Sequence, residues 1–293
     1  MKIIIPKSIG FCYGVLNSVK LAEEVLKKAG DRNVPCYCLD NLIHNPKVVD
    51  SFKKRGLSII NSPDKNEAGL VIISAHGTTK DTVDSFSGRG FELYDGTCIN
   101  IKKTQQIIAD SVAEGMSVLV IGIPGHAETK SLMGCTDGTK VFLVYNEKSL
   151  NDVLDVIDSD ENICVVCQTT FPPEEFEKLA SLVKMKKKGA LIFNCLCNVC
   201  TNRMKEYKEC ALKSDVVFVI GGKDSQNTKN MAEYLSEYCS RVYQVEDESD
   251  TESVIREGFF KDKTVLLCSG TSTPVSIVEK IRDKLTVLES KIT

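Results

Sequence analysis

The stretch Phe11-Cys12-Tyr13-Gly14 follows a short apolar strand, Ile3-Ile4-Ile5, and leads directly into a predicted amphipathic helix. The same order of strand, cysteine and helix returns at Cys98 and again near Cys197. In open α/β sheets, ligands bind outside the carboxyl ends of the strands, where these cysteines are predicted to lie. The recurring pattern therefore predicts a repeated α/β fold whose cysteines approach a ligand site.

In each repeat the cysteine is followed by two further predicted strands, and each of those strands ends in a polar loop. These loops are His44-Asn45, Ser74-Ala75-His76-Gly77, Gly125-His126-Ala127-Glu128, Gln168-Thr169-Thr170, Ser225-Gln226-Asn227 and Ser272-Thr273-Pro274. Right-handed crossovers between such strands build a small parallel sheet. We therefore predict three similar small α/β domains with parallel sheets, in a pseudo-threefold ring whose strand ends converge on one central pocket.

The predicted domain boundaries follow the repeat. Domain 1 covers residues 13–98 and domain 2 covers residues 99–195. Domain 3 combines residues 1–12 with residues 196–283, because the third repeat lacks a strand unless the N-terminal strand returns to it. Residues 284–293 are predicted to form a C-terminal tail.

Composition narrows the class of protein. A hydrophobic content of 42% and a charged content of 26% are ordinary for a globular protein. The net charge of -3 and the lack of a basic stripe argue against a nucleic-acid partner. Apolar runs such as Val216-Val217-Phe218-Val219-Ile220 are too short to span a bilayer, and the N-terminus has no signal-peptide core. We expect a cytoplasmic protein without a membrane partner, of unassigned oligomeric state.

The cysteine content indicates ligation more than disulfides. Thirteen cysteines, an odd number spread over predicted buried strands, do not fit a secreted disulfide framework. Three thiolates from three repeats suit an iron–sulfur cluster or a zinc ion. A four-iron cluster held by three cysteines leaves one iron open, as a Lewis-acid or redox site for a small oxygen ligand needs. A core position is the simpler interpretation for one cysteine, but three equivalent positions favour ligation.

The residues by themselves leave the third ligand open. Cys195, Cys197 and Cys200 crowd the same corner, and the last two form a CxxC pair that suits zinc or redox chemistry. Six other cysteines lie in apolar runs or on predicted helices and are interpreted as structural: Cys36, Cys38, Cys164, Cys167, Cys210 and Cys239.

The polar loops predict an anion site. The chain has only three histidines, and each follows a predicted strand: His44, His76 and His126. Imidazoles in equivalent loops can hydrogen-bond an anion. Ser225, Asn227 and Ser272 lie at predicted helix starts, where free N–H groups favour phosphate, although N-capping explains each one individually. No Walker or GxGxxG loop is present, so a nucleotide is not indicated.

One acid stands out in these loops. Glu128, two residues after His126, is the only carboxylate of these loops besides Asp224, which directly precedes Ser225. Glu128 is therefore the natural proton donor. The hydroxyls of Thr169 and Thr170 could relay or orient that proton. A solvated acid at a helix start is an equally weighted alternative for Glu128.

The motifs together resemble the LytB/IspH family of 4-hydroxy-3-methylbut-2-enyl diphosphate reductases, in order and over essentially the whole chain. The resemblance rests on Gly10-Phe11-Cys12-x-Gly14-Val15, His44-Asn45, Ser74-Ala75-His76-Gly77, Thr97-Cys98, Gly125-His126-x-Glu128, Gln168-Thr169-Thr170, Cys197-x-x-x-Thr201-Asn202-Arg203, Ser225-x-Asn227 and Ser272-x-Pro274. Four residues depart from the family pattern without removing a ligand or the acid: Ala127, Cys200, Met204 and Gln226.

The resemblance implies the last step of the non-mevalonate (MEP/DOXP) isoprenoid pathway. The family reductively dehydroxylates (E)-4-hydroxy-3-methylbut-2-enyl diphosphate to isopentenyl diphosphate and dimethylallyl diphosphate. It uses an oxygen-sensitive [4Fe-4S] cluster with three cysteine ligands and one open iron, supplied with electrons by ferredoxin or flavodoxin. By the motif match, the cluster ligands would be Cys12, Cys98 and Cys197. The resemblance thus favours Cys197 as the third ligand over Cys195 and Cys200. It also implies that the predicted ring of domains surrounds a central iron–sulfur cluster.

The resemblance also implies roles for the polar loops. Glu128 would be the proton source, Thr169 would orient the substrate hydroxyl, and His126 would belong to the catalytic set. The diphosphate would be held by His44, His76, His126, Ser225, Asn227 and Ser272.

Two other functions remain open. A hydro-lyase with an open-iron cluster would need arginines for a substrate carboxylate in the pocket loops, and the sequence places none there. A zinc-bound or non-catalytic three-domain binding protein would not need Glu128 beside His126.

Overall fold

The structure is a computed structural model that describes residues 1–137, 139–158, 160–223, 225–254, 260 and 262–290. Asp224, noted above as a loop carboxylate, lies outside the described residues, as do residues 291–293 of the predicted tail. Across the described ranges, no helix combines the length and the apolar content needed to cross a membrane.

Strands and helices alternate along the described chain, except that the fourth strand follows the third without a helix between them. Their bounds are β1 Lys2–Ile4, α1 Tyr13–Arg32, β2 Cys36–Leu39, α2 Pro46–Lys54, β3 Leu57–Ile60, β4 Leu70–Ile73, α3 Lys80–Ser87, β5 Glu92–Asp95, α4 Ile99–Ala113, β6 Ser117–Ile121, α5 Ala127–Met133, β7 Val141–Val144, α6 Glu147–Leu154, β8 Ile163–Cys167, α7 Pro173–Lys186, β9 Leu191–Ile192, α8 Asn198–Ala211, β10 Val216–Ile220, α9 Gln226–Ser236, β11 Val242–Val245, α10 Glu248–Val254, β12 Thr264–Ser269 and α11 Val275–Ser290.

The strands form three parallel sheets of four strands each. The first sheet has the order β3-β2-β4-β5, the second β7-β6-β8-β9, and the third β11-β10-β12-β1. In the third sheet the N-terminal strand pairs with β12, in a register that runs from Lys2 opposite Thr264 to Ile4 opposite Leu266. The predicted return of the N-terminal strand to the third repeat is therefore confirmed, as is the prediction of three similar parallel α/β sheets.

The sequence prediction missed one strand in each sheet. β3, β7 and β11 lie at sheet edges, and each has half or more of its residues exposed or only partly buried. Such strands lack the continuous apolar run of a buried parallel strand. They form because the neighbouring strand offers a row of backbone hydrogen-bonding groups.

Chain contacts group the residues into two compact units. Unit 1 comprises Met1–Leu16, Ile43–Val49 and Asn198–Thr293, and it contains the third sheet. Unit 2 comprises Asn17–Leu42 and Asp50–Cys197, and it contains the first and second sheets. Each sheet falls within one predicted domain, whereas the boundaries 13–98, 99–195 and 1–12 with 196–283 stay a prediction.

The predicted C-terminal tail, residues 284–293, differs from the structure over its first part. Helix α11 continues through Ser290. The reason is Leu285, which is fully buried with Ile281 in the core of the third sheet. An apolar side chain on the same face one turn later keeps the helix packed against the sheet.

The core of the third sheet supports a first prediction. Phe218 is 0% exposed, and its ring centroid lies 5.9 Å from that of Tyr243 and 6.1 Å from that of Phe260. Phe218→Ala is expected to lower the free energy of unfolding by about 3–5 kcal/mol, because it leaves a cavity among these rings. Urea unfolding followed by circular dichroism measures the change.

The matched control is Leu212→Ala, since Leu212 is 62% exposed and its truncation is expected to change the free energy of unfolding by no more than about 0.5 kcal/mol. Equal destabilisation by the two substitutions would contradict the packing of this core.

Candidate active site

Each predicted cluster ligand is the residue that directly precedes a helix. Cys12 precedes α1, Cys98 precedes α4 and Cys197 precedes α8. All three are half-buried, and helix N-termini stabilise a thiolate through their unpaired N–H groups and dipole. None of the thirteen cysteines forms a disulfide. The three positions therefore suit thiolates.

Within unit 2, the surroundings of Cys98 and Cys197 are linked. The Asn100 side-chain amide, in the first turn of α4, donates to the Cys197 Sγ over 3.6 Å. Burial raises the pKa of the Cys98 thiol, the backbone N–H groups of Asn100 and Ile101 lower it, and the charge of Cys197 raises it again. The start of α4 thus directs N–H donors at sulfur and brings the two thiols into electrostatic contact.

Cys195 has a different partner from Cys197. Its thiol is hydrogen-bonded to that of Cys167, which lowers the pKa of Cys195 and raises the pKa of Cys167. Cys195 also packs against the cores on both sides of the second sheet. Cys195 is thus engaged with the second sheet, and the choice of Cys197 as the third ligand stays a prediction.

The cysteines interpreted as structural lie largely as predicted. Cys36, Cys38, Cys164 and Cys167 are buried, and Cys210 lies on α8. The prediction that Cys239 lies on a helix is wrong, because α9 ends at Ser236. Cys239 is nevertheless buried against the core of the third sheet.

The donor set can be compared with an iron–sulfur cluster. Within the described ranges, no group of three or more His, Cys, Asp or Glu side chains is placed to share one metal ion. A four-iron cluster does not require such a group, because it takes each thiolate on a different iron. Half-buried thiols that receive N–H groups, at the starts of helices, match the chemistry of cluster ligands. Cys98 and Cys197, the two of these thiols in unit 2, therefore fit that group.

Glu128 is the most perturbed acid of the site. It lies in the first turn of α5 and is 2% exposed, so the alternative of a solvated acid is wrong. The Thr169 N–H donates to its Oε1 over 2.6 Å, and the Thr169 hydroxyl donates to its Oε2 over 2.9 Å. Burial raises the pKa of Glu128 to about 7, against these two hydrogen bonds, which lower it. Such a carboxyl can hold a proton near neutral pH and release it.

His126 caps the helix that carries Glu128. Its Nδ1 accepts a hydrogen bond from the Glu128 N–H over 3.1 Å. The neutral ring therefore carries its proton on Nε2, which is a donor for an anion. The ring centroid of His76 lies 6.0 Å from that of His126 in an edge arrangement, and the Cys98 N–H donates to the carbonyl of Ala75 over 3.0 Å. Unit 2 thus gathers two imidazoles, an acid and two thiols at strand ends.

Gln168 is a site residue that the sequence prediction did not commit to. Its side-chain oxygen accepts from the Ile123 N–H over 2.9 Å and from the Thr129 hydroxyl over 3.1 Å. Its amide nitrogen donates to the Thr170 hydroxyl over 3.0 Å. Gln168 therefore ties the loop of Glu128 to the loop of Thr169, and the available signal was its place beside Thr169 in the polar loop.

This arrangement supports a second prediction. Gln168→Leu keeps the approximate volume but leaves the Ile123 N–H and the Thr129 hydroxyl without their partner in a fully buried place. We expect the free energy of unfolding to fall by about 1–3 kcal/mol for each orphaned group, as measured by urea denaturation.

The matched control is Gln106→Leu on exposed α4 surface, where the lost contact is a hydrogen bond of 2.7 Å to Asp110. Its effect is expected to stay within about 0.5 kcal/mol. A Gln168→Leu variant as stable as this control would show that the buried network contributes nothing.

Unit 1 holds the remaining predicted anion-binding residues. Ser225 caps α9 by accepting from the Thr228 N–H over 3.4 Å, which confirms the N-capping interpretation. The Asn227 amide reaches the Thr271 hydroxyl at 3.5 Å. The Ser272 hydroxyl donates to the carbonyl of His44 over 3.1 Å, so these two sequence-distant predictions meet.

Gly222 permits the close approach of the His44 carbonyl to the backbone at the end of β10. A Cβ at Gly222 would lie 3.0 Å from the His44 carbonyl oxygen. A side chain here would require the His44 backbone to shift by a few tenths of an ångström.

The predicted site residues divide into two sets. Unit 2 contains Cys98, Cys197, His76, His126, Glu128 and Thr169, and unit 1 contains Cys12, His44, Ser225, Asn227 and Ser272. The convergence of the two sets on one pocket stays a prediction.

These features define an α/β protein of three parallel four-stranded sheets, with thiols at helix starts and a buried acid held by a threonine. The chain belongs to the LytB protein family, whose family model matches residues 3–286.

Curated relatives match the chain over nearly its full length. It is 31% identical over 290 residues to the 4-hydroxy-3-methylbut-2-enyl diphosphate reductase of Campylobacter hominis, which covers 98% of this chain and 100% of that protein. It is 29% identical over 294 residues to the protein of the same name from Thermoanaerobacter sp. (strain X514), with 99% of each covered.

Two solved structures share the fold. One is (E)-4-hydroxy-3-methyl-but-2-enyl diphosphate reductase, described as the terminal enzyme of the non-mevalonate pathway, with a TM-score of 0.74, 28% identity and coverage of 98% of this chain and 99% of that chain. The other is the E-1-hydroxy-2-methyl-but-2-enyl-4-diphosphate reductase of Plasmodium falciparum, with a TM-score of 0.87, 21% identity and coverage of 97% and 88%. The second likeness concerns the fold alone.

Proposed function

We propose that the chain is a 4-hydroxy-3-methylbut-2-enyl diphosphate reductase of the non-mevalonate pathway. It removes the allylic hydroxyl of (E)-4-hydroxy-3-methylbut-2-enyl diphosphate and yields isopentenyl and dimethylallyl diphosphates. The substrate takes up two electrons and two protons and loses water. Family membership supports this function, and the buried, protonatable Glu128 on the hydroxyl of Thr169 is the observation that carries it.

Glu128 and Thr169 supply the proton in this proposal. When Glu128 is protonated on Oε2, the Thr169 hydroxyl is its neighbour at 2.9 Å. A proton can therefore pass from Oε2 through the Thr169 hydroxyl to the substrate hydroxyl, which then leaves as water. Protonation of the leaving group lowers the barrier because hydroxide is a poor leaving group. The hydrogen bond from the Thr169 N–H to Oε1 keeps the carboxyl in one orientation during this transfer.

The proposed cofactor is a [4Fe-4S] cluster held by Cys12, Cys98 and Cys197. When bound, such a cluster supplies electrons one at a time and a Lewis-acidic iron without a protein ligand. The side chain of Asn100 donates to the Cys197 Sγ, and hydrogen bonds to cluster sulfurs favour added negative charge. The proposed electron donor is a ferredoxin or flavodoxin.

The diphosphate is proposed to lie against imidazoles, hydroxyls and an amide. The Nε2 of His126 can donate to it, since Nδ1 already accepts from Glu128. The backbone amides at the start of α9, where Ser225 is the N-cap, provide a second anion-binding element. The complete set is His44, His76, His126, Ser225, Asn227 and Ser272. Together they would hold the anionic end of the substrate while its hydroxyl lies near Thr169.

A cytoplasmic location is part of the proposal. The cysteines of the chain are thiols with no disulfide between them. Thiols in this number persist in reducing compartments, and disulfides are typical of oxidising ones.

The function is tested by anaerobic purification, iron and sulfide quantitation, and an assay with dithionite-reduced viologen and the hydroxymethylbutenyl diphosphate. About four irons per chain with substrate-dependent viologen oxidation is the expected result. A cluster without that turnover would favour the hydro-lyase instead. A colourless protein loaded with zinc would contradict both enzymes.

A further inference from the structure

Arg203 is a buried cation that the proposed reaction does not use. It lies on α8 and is 3% exposed. Its Nη1 donates to the carbonyl oxygens of Gly10 over 2.9 Å and Ser269 over 3.3 Å. Its buried Nε has no hydrogen-bond partner among the described residues. Nη1 thus bonds to neutral carbonyls, and Nε is a buried donor without a partner in the described part of the chain.

A charge in such a place needs a compensating charge. Removal of a guanidinium from water is costly unless an anion lies near it. No ion pair of Arg203 with a carboxylate occurs in the part of the chain that the structure describes. The surroundings of Arg203 therefore favour a negatively charged group that is not one of these side chains.

The contacts of Arg203 point to where that group binds. Gly10 comes two residues before Cys12 in the sequence, and the Cys12 N–H donates to the carbonyl of Thr271 over 3.1 Å. The Gly10 N–H donates to the Ser269 hydroxyl over 2.9 Å. Arg203 thus holds both the corner that carries Cys12 and the end of β12 that supports this corner.

Gly10 is required at the corner. It has a φ of +86°, and a Cβ there would lie 2.5 Å from the Cγ2 of Val275. The left-handed backbone is open to glycine at little cost. The corner conformation that presents the Gly10 carbonyl to Arg203 is therefore specified by the sequence.

Tyr207 is an uncharged neighbour of Arg203 that contacts the same corner. It lies one helical turn later on α8, and its hydroxyl donates to the carbonyl of Ser8 over 2.8 Å. The same hydroxyl is within 3.2 Å of the Ser269 carbonyl. The two side chains hold the same corner, so Tyr207 provides a comparison that separates position from charge.

We propose that Arg203 is a positioning residue that holds the Gly10–Cys12 corner and supplies the positive charge that favours reduction of the cofactor bound there. A four-iron cluster with three thiolates carries a net negative charge, which grows on reduction, so a buried cation stabilises the reduced form more. Arg203 lies on α8, which begins directly after Cys197. The inference rests on the proposed cofactor.

The test is the midpoint potential of the anaerobic holoprotein, from a redox titration followed by visible absorbance and electron paramagnetic resonance. Arg203→Met is expected to lower the equilibrium constant for one-electron reduction at least tenfold, which is about 59 mV. Arg203→Lys keeps the charge and is expected to stay within about threefold of the parent. Tyr207→Phe removes a corner contact without charge and is also expected to stay within about threefold.

Several results would overturn the inference. An Arg203→Met potential equal to that of the parent removes the charge effect. If Tyr207→Phe also lowers the equilibrium constant for reduction tenfold, the effect comes from the geometry of the corner and not from the charge. If Arg203→Met does not retain iron, Arg203→Lys provides the test. A tenfold lower equilibrium constant for reduction in Arg203→Lys, which keeps the charge, would contradict a charge effect. A parent protein with a cluster but no turnover contradicts the proposed function and leaves the potential test intact, whereas a parent without a cluster ends both.

Discussion

Replacement of Glu128 by glutamine is expected to lower kcat by a factor of about 10²–10⁴, which is the usual contribution of a positioned general acid. Glutamine keeps the size of the side chain, and its oxygen can still accept from the Thr169 N–H that now bonds Oε1. It cannot supply a proton through the Thr169 hydroxyl. Iron content and KM for the diphosphate are therefore expected to change little.

The pH dependence follows from the raised pKa of this carboxyl. Burial raises the pKa of Glu128 to about 7, so the acid is protonated below that pH and loses its proton as the pH rises through it. Turnover of the parent is expected to fall above about pH 7. This fall in turnover at higher pH should be absent from the residual activity of Glu128→Gln. Steady-state assays from about pH 6 to about pH 9, a range that brackets the pKa, measure both effects.

The matched control for this variant is Glu147→Gln. Glu147 is also in the first turn of a helix, α6, but it is exposed. Its replacement is expected to leave kcat and iron content unchanged. Turnover of Glu128→Gln within about threefold of the parent would remove Glu128 as the acid, since general-acid effects are far larger.

The second large effect concerns the cluster ligands. Cys197→Ser is expected to lose most of the iron and sulfide, because a hard hydroxyl is a poor substitute for a soft thiolate at an iron–sulfur cluster. Cys197 directly precedes α8 and receives the Asn100 amide. Cys195→Ser is expected to retain iron and turnover, because the Cys195 thiol is engaged with Cys167 at the second sheet.

Iron and sulfide per chain, with the visible spectrum after anaerobic reconstitution, measure this contrast. The two substitutions make the same chemical change two positions apart, so each is the control for the other. Loss of the cluster in Cys195→Ser and retention in Cys197→Ser would move the third ligand to Cys195. Retention in both would direct attention to Cys200 in the first turn of α8.

The sequence predicted the buried parts of the fold well. Runs such as residues 216–220 and 163–167 are apolar throughout, which is typical of parallel strands covered on both faces. The edge strands β3, β7 and β11 were missed because their hydrogen bonds to a central strand, rather than their own pattern, determine them. The extension of α11 was missed for a similar reason, since it depends on the burial of Leu285 against a distant sheet.

In the candidate site, too, the sequence predicted the local features, and contacts between distant residues determined the rest. Its residue types and their order along the chain were readable as motifs, and the LytB family membership agrees with them. Burial excludes the solvated interpretation of Glu128. Its bonds to Thr169 could not be read from the sequence, and its role as proton donor stays a prediction. Gln168 could not be assigned a role because its partners, Ile123 and Thr129, lie far from it in the chain.

The sequence by itself determined the repeated order of strand, cysteine and helix, because strand and helix periods and helix starts depend on near neighbours. Only the tertiary structure decided which groups are buried and which partners they have. Burial raises the pKa of Glu128, the Cys167 thiol lowers the pKa of Cys195, and the carbonyls of Gly10 and Ser269 accept hydrogen bonds from Arg203. Each of these results from residues far apart in the chain, which folding alone brings together and removes from water.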